Sequence, residues 1–141
     1  MEQIKLTPAH VGLSVYHMDE SIDWYRRVLG YELVKDDGFL PPLQARVCFL
    51  ERDGFQLELF EYVSPKPLPD DRKTPDSDLQ TVGTKHLAFF VQDMSAIKAH
   101  LRAENVEIAH EAEMNGEAVL FLRDCNGILI ELIEKTANSQ L

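Results

Sequence analysis

The chain has 141 residues, 45% of them hydrophobic and 27% charged, a length and balance that suit one compact domain with a core of its own. Its formal net charge of -10 repels phosphate backbones and anionic lipid, which argues against nucleic acid and membrane surfaces as partners. The longest apolar runs (VLFL, LAFFV, ILI) fall far short of a bilayer span.

The N-terminal MEQIKLTPAH has no basic segment followed by an apolar one, so no export signal is read and a cytoplasmic protein is expected. HVGLSV, from His10, reads as a first strand. Met18 to Leu29 (MDESIDWYRRVL) puts Ile22, Tyr25, Val28 and Leu29 at helical spacing, with Gly30 as a C-terminal stop. Trp24 belongs to the packing of this helix. Three extended stretches come next: YELVKD, QARVCFLE and FQLELFEY, the last two joined by the turn signal RDG.

VSPKPLPDDRKTPDSDLQTVGTK is rich in Pro, Asp and Lys and has no apolar period. It reads as a connector or as a lid over a site, with Asp70 and Asp71 as solvating charges. After it the first pattern returns. HLAFFV from His86 is a strand, and Met94 to Ala103 (MSAIKAHLRA) is a helix with Ile97 and Leu101 on one face. VEIAHE, EAVLFLRD and ILIELIE are three more strands, joined by MNG and CNG. Cys48 and Cys125 fit no CxxC spacing and are too few for a disulfide framework, so both are expected as reduced thiols.

The recurrence is an internal repeat. GFQLELFEY (Gly54 to Tyr62) and GILIELIEK (Gly127 to Lys135) match at Gly54 and Gly127, Glu58 and Glu131, Leu59 and Leu132, and Glu61 and Glu134. In the second copy Leu129, Glu131 and Ile133 share one face of the strand while Ile128, Ile130 and Leu132 share the other. Both faces read as buried, and a buried carboxylate needs a neutralising partner. His10 and His86 head the first strand of each half, and Glu58 and Glu131 lie in the last. Mixed nitrogen and oxygen donors suit a divalent first-row ion such as Ni, Zn, Mn, Fe or Co, whereas Ca or Mg favours oxygen alone. Taken singly, a strand His is more often a hydrogen-bonded core residue and a strand Glu a solvated one or an Arg partner. The matched registers of both favour a metal site at His10, Glu58, His86 and Glu131.

HVGLSVYHMDESIDWYRRVLGYEL, KHLAFFVQDM and RDCNGILIELIE carry a resemblance to the vicinal oxygen chelate superfamily, which includes glyoxalase I, extradiol dioxygenases, and bleomycin or fosfomycin resistance proteins. It covers Thr7 to Lys135. In RDCNG, Cys125 stands where the family commonly has Pro, a departure that touches the turn and not the ligands. The resemblance implies an α+β fold of paired βαβββ modules forming a curled mixed sheet around a metal. A single domain, 1–141, is expected to comprise module one at about 5–62, a connector at 63–82 and module two at about 83–135. Members are often homodimers, and the site is found within one chain or shared between two.

The ligand pattern resembles glyoxalase I, whose His or Gln, Glu, His and Glu correspond here to His10, Glu58, His86 and Glu131. The implied activity is that of a metal-dependent lyase or isomerase acting on a small oxo substrate or its thiol adduct. In such enzymes the metal polarises a carbonyl and stabilises an enediolate while a carboxylate moves a proton between adjacent carbons. Glu131, with Glu58 opposite, is the candidate base. The alternative is an Fe(II) extradiol-type dioxygenase using His10, His86 and Glu131, in which Glu58 is surplus. A metal-free binding or resistance protein ranks below both, because such members typically lose the ligands.

Three further residues are candidate substrate contacts. Arg46 stands in an apolar strand, where it meets either a substrate carboxylate or a core-edge acid. Phe60 shares a face with Glu58, and Ile133 with Glu131; each lines a pocket or is ordinary core. His17 and His100 are placed on a loop and a helix surface, and His110 in a strand that can approach the pocket.

Overall fold

The computed structural model describes residues 2–135. The chain divides into two compact units at Pro65/Lys66, and each holds one copy of the repeat. The first is β1 (His10–Val15), α1 (Met18–Leu29), β2 (Glu32–Leu40), β3 (Ala45–Arg52) and β4 (Phe55–Tyr62). The second contains a 3-10 turn (Asp70–Arg72), α2 (Pro75–Asp78), β5 (Leu87–Val91), α3 (Met94–Ala103), β6 (Ile108–Met114), β7 (Glu117–Arg123) and β8 (Leu129–Glu134).

Each unit is a four-stranded mixed sheet, ordered β1-β4-β3-β2 in the first and β5-β8-β7-β6 in the second. The first strand of each runs parallel to the last, and the other pairings are antiparallel. Both long helices occupy the spans their spacing predicts. Gly30 ends α1 in the left-handed region at φ 70°, where its N–H donates to Arg26 O and Tyr31 N–H donates to Tyr25 O. That double closure satisfies carbonyls the helix leaves open. The turn signals act as expected too. Asp53 and Gly54 (φ 48° and 80°), like Asn115 and Gly116 (φ 54° and 79°), are successive left-handed pairs whose twist matches a tight hairpin.

The helix side of each sheet supplies much of the core. In the first unit Met18, Trp24, Tyr25 and Val28 of α1 are buried, as are Cys48, Leu50, Leu57 and Leu59 of the sheet; in the second, Met94 and Leu101 of α3 are buried with Leu120, Leu122, Ile130 and Leu132. A buried aliphatic side chain of this size is worth about 1.5–3 kcal/mol.

The matched second carboxylates of the repeat explain how each helix is tied to its sheet. Glu61 accepts the N–H of Met18 at 2.5 Å, and Glu134 accepts that of Met94 at 2.8 Å. A helix start leaves such N–H groups without helical partners and carries partial positive charge, so a carboxylate there is doubly favourable.

The Pro-rich segment, which reads in the sequence as a connector or a lid, is tied down by ion pairs and hydrogen bonds. From Lys66 it belongs to the second unit. Asp78, buried at the end of α2, receives Arg72 at 2.9 Å and Lys85 at 3.1 Å. Arg72 also donates to Thr84 O, and Arg123 of β7 donates to Lys73 O at 2.6 Å. Arg72, Asp78 and Lys85 are thus the clamp that orders a strap. Asp70, in contrast, is fully exposed and pairs only at the surface, with Lys73.

Candidate functional site

Of the four residues expected at one metal, the structure pairs His10 with Glu58 in the first unit and His86 with Glu131 in the second. Gly12 stands opposite Glu58 and Ala88 opposite Glu131. Each His precedes its partner's register mate by two residues, so it shares that residue's face. His10 Nε2 lies 3.1 Å from Glu58 Oε1, and His86 Nε2 lies 3.3 Å from Glu131 Oε2. The Glu58 and Glu131 side chains retain 21% and 15% exposure.

That partial opening corrects one expectation. Ile130 and Leu132 lie buried on the helix side, but the face of Glu131 is closed at Leu129 and half-open at Glu131 and Ile133. The carboxylate is therefore tolerated by an imidazole partner together with a route to solvent, not by enclosure alone.

Each pair rests against an aromatic ring from the neighbouring strand. Phe49 pairs with Glu58 and Phe121 with Glu131. His10 meets Phe49 edge-on at a centroid distance of 5.3 Å, and His86 meets Phe121 in the same way at 5.2 Å. The packing fixes the imidazole planes. Sequence reasoning passed over both rings, although QARVCFLE and EAVLFLRD each carry a Phe where the pairing needs one.

Phe60 is half-buried on the Glu58 face, opposite Ser14, and its ring lies so close to Gly12 that a Cβ there would stand 3.3 Å from it. Ile133 is half-buried on the Glu131 face. Arg46 lies on the other side of its sheet. Phe49 faces with Glu58, so Arg46, three residues away, points toward α1. There its guanidinium binds Asp19 at 2.9 Å and Asp36 at 2.8 Å. Arg46 thus pairs with core-edge acids, the second of its two expected uses, and does not reach the Glu58 face. Hydrogen bonds from Arg46 and from Gly38 N–H hold the Asp36 carboxyl well below the usual carboxylate range. Burial, helped by nearby Asp36, pushes the Cys48 thiol up to about 11.

Chemically, each pair is a two-donor fragment. Donors at about 2.1 Å from a divalent ion, subtending roughly a right angle, stand about 3 Å apart, which is the separation found in both pairs. The donor chemistry and spacing fit half of a metal site in each unit. Among the described residues no group of three or more His, Cys, Asp or Glu is gathered for a metal.

The family model of the glyoxalase/bleomycin resistance protein/dioxygenase superfamily matches residues 7–132. The chain belongs to that superfamily. Similar solved structures include a glyoxalase family protein from Enterococcus faecalis, 22% identical with a TM-score of 0.77 over 91% of this chain and 97% of that one. A glyoxalase I variant from Zea mays is 18% identical, with a TM-score of 0.70 over 90% of this chain and 44% of that one. The fosfomycin resistance protein FosX from Listeria monocytogenes is 15% identical, with a TM-score of 0.69 over 98% and 100%. Among curated proteins, none matches. The superfamily's paired βαβββ modules are the two units described above. No helix among the described residues is long and apolar enough to cross a membrane.

Proposed function

We propose that this superfamily member is a divalent-metal-dependent enzyme of glyoxalase I-like type, a lyase or isomerase that moves a proton between adjacent carbons of a small oxo substrate or its thiol adduct. The observation that carries the reading is the twice-built His/Glu pair, in which each His stands two residues before the residue opposite its Glu and the two distances nearly agree. The ligands would be His10, Glu58, His86 and Glu131, and the ion one of the set Ni, Zn, Mn, Fe and Co. When bound, that ion supplies Lewis-acid polarisation of a carbonyl. A FosX variant of the same fold, complexed with Mn(II) and dihydroxypropylphosphonic acid, supports a divalent ion on this scaffold.

Glu131 is the proton carrier, with Glu58 in the matching position. Each carboxylate has an imidazole Nε2 within 3.1–3.3 Å, so each His would hold the ion directly beside the carboxylate that carries the proton. Phe121 and Phe49 back the imidazoles and keep water from one side of each pair. The working species is proposed to be a homodimer acting on a small molecule. Exposed Phe39, Leu43, Tyr62 and Val63 around the β2–β3 turn give a second copy apolar surface to cover.

The test is elemental analysis of protein purified without chelators, followed by assays of Ni and Fe(II) forms with methylglyoxal plus thiols and with catechols. About one ion per chain is expected, lost in His86→Ala and Glu131→Gln, because removal of one donor leaves the others without compensation. Glu58→Gln should lower isomerase turnover by about three powers of ten or more. Oxygen uptake by the Fe(II) form alone, with Glu58→Gln still active, would replace this reading with the dioxygenase. Absence of bound metal under varied metal supply would remove the enzyme reading altogether.

A further inference from the structure

The cross-strand row through each His/Glu pair continues one strand further, to a residue that the proposed chemistry does not use. In the second unit His110 of β6 stands opposite Phe121, which stands opposite Glu131. Its ring centroid is 6.4 Å from that of Phe121. In the first unit Lys35 of β2 occupies the same place opposite Phe49, its Nζ 5.7 Å from the ring centroid. The two rows therefore read Gly12, Glu58, Phe49, Lys35 and Ala88, Glu131, Phe121, His110, with His10 and His86 each two residues before the first member.

This placement depends on an irregularity that occurs twice. The β2–β3 register shifts between Leu33 and Lys35, and the β6–β7 register shifts between Ile108 and His110. The single extra residue is Val34 in one case and Ala109 in the other. An extra residue resets the alternation of a strand and re-aims the side chains beyond it. Without it, Lys35 and His110 would lie on the helix faces of their sheets. The next residues do lie there: Asp36 receives Arg46, and Glu111 pairs with Lys98 of α3. The segments ELVKD and EIAHE carry the repeat in the sequence.

We propose that His110 is a specificity-determining residue that donates an N–H to an anionic oxygen group on the substrate, a carboxylate or phosphonate, at the far end from the His86–Glu131 pair. The inference rests on the metal reading above. Two strand steps separate β8 from β6, roughly 10 Å, and the Phe121 ring floors the interval. A substrate with an oxo head at Glu131, a short apolar middle on Phe121 and an anionic tail at His110 matches that order. The imidazole can donate in its neutral or its protonated form. Exposed His110 has no ion pair among the described residues, whereas Lys35 has Asp37 at 3.3 Å. In a chain of net charge -10, an anion needs such a local donor.

The experiment is calorimetric titration of Ni-supplied protein with acetohydroxamate and with the monohydroxamates of succinate and glutarate, which add a carboxylate tail to the same chelating head. One of the tailed probes should bind about tenfold more tightly than acetohydroxamate, the scale of one partly solvated charge-assisted hydrogen bond. His110→Leu should bring that ratio to about one, and His110→Lys should restore it. No tail preference in the unmodified protein, or a preference that survives His110→Leu, overturns the inference and leaves the metal reading standing. If no hydroxamate binds, both fall together.

Discussion

Removing the Glu61 carboxylate tests how each helix is fastened to its sheet. The N-cap of α1, His17, makes no side-chain hydrogen bond, and the Met18 N–H donates to Glu61 at 2.5 Å. At α3 the cap Asp93 accepts the Ala96 N–H at 3.0 Å while Glu134 takes Met94 at 2.8 Å. A hydrogen bond to a charged group contributes about 1.5–3 kcal/mol, and the helix dipole adds about 0.3–1 kcal/mol. Both carboxylates are only part-buried, so water recovers some of that. Glu61→Ala should then cost about 2 kcal/mol, and Glu134→Ala, with Asp93 still in place, about 1 kcal/mol. For a chain of this length that is a loss of about 7 °C against about 3 °C in Tm. Urea and thermal unfolding of both variants, with Glu61→Gln as the uncharged acceptor control, make the measurement. Equal losses in the two alanine variants, or an unchanged midpoint in Glu61→Ala, would refute the reasoning.

The strap should respond to Asp78. Asp78→Ala leaves Arg72 and Lys85 facing each other, and since both are partly solvated the expected cost is about 2–3 kcal/mol, with earlier proteolytic cleavage between Lys66 and Lys85 as its local signature. Burial raises the Asp78 carboxyl, but hydrogen bonds from Arg72 and Lys85 outweigh it and the net shift is downward. A depressed acid contributes its stability above the unfolded value near pH 4 and loses it as pH falls through the folded value. Acid unfolding should therefore be shallower in Asp78→Ala below about pH 4, and identical acid profiles would contradict the clamp. Among the cysteines, buried Cys48, pushed up to about 11, should resist a thiol reagent at neutral pH until the chain unfolds. Half-buried Cys125 should react first, and mass spectrometry of partly labelled protein distinguishes the two.

Much was legible because the chain says the same thing twice. Helical spacing with Gly30 at the end of α1, left-handed turn residues at Asp53–Gly54 and Asn115–Gly116, and alternation along β4 are local properties, set by backbone sterics and by which side chains must leave water. The same is true of the His and Glu repeat: parallel pairing of the first and last strands of a βαβββ unit turns equal sequence offsets into equal distances, so two matched pairs arose from one pattern. The features hidden from the sequence depend on the residues across a strand or a loop. Arg46 has two possible faces until register with Phe49 and Glu58 chooses one. Lys35 and His110 reach the His/Glu faces only because a bulge precedes each, and no composition rule announces an extra residue. Asp78 reads as one acid among several in a polar segment until Arg72 and Lys85 close over it. Periodicity fixes what a residue's immediate neighbours impose. Which charge meets which is decided by tertiary pairing, because a carboxylate's cost and use depend on the partner that folding brings within about 3 Å.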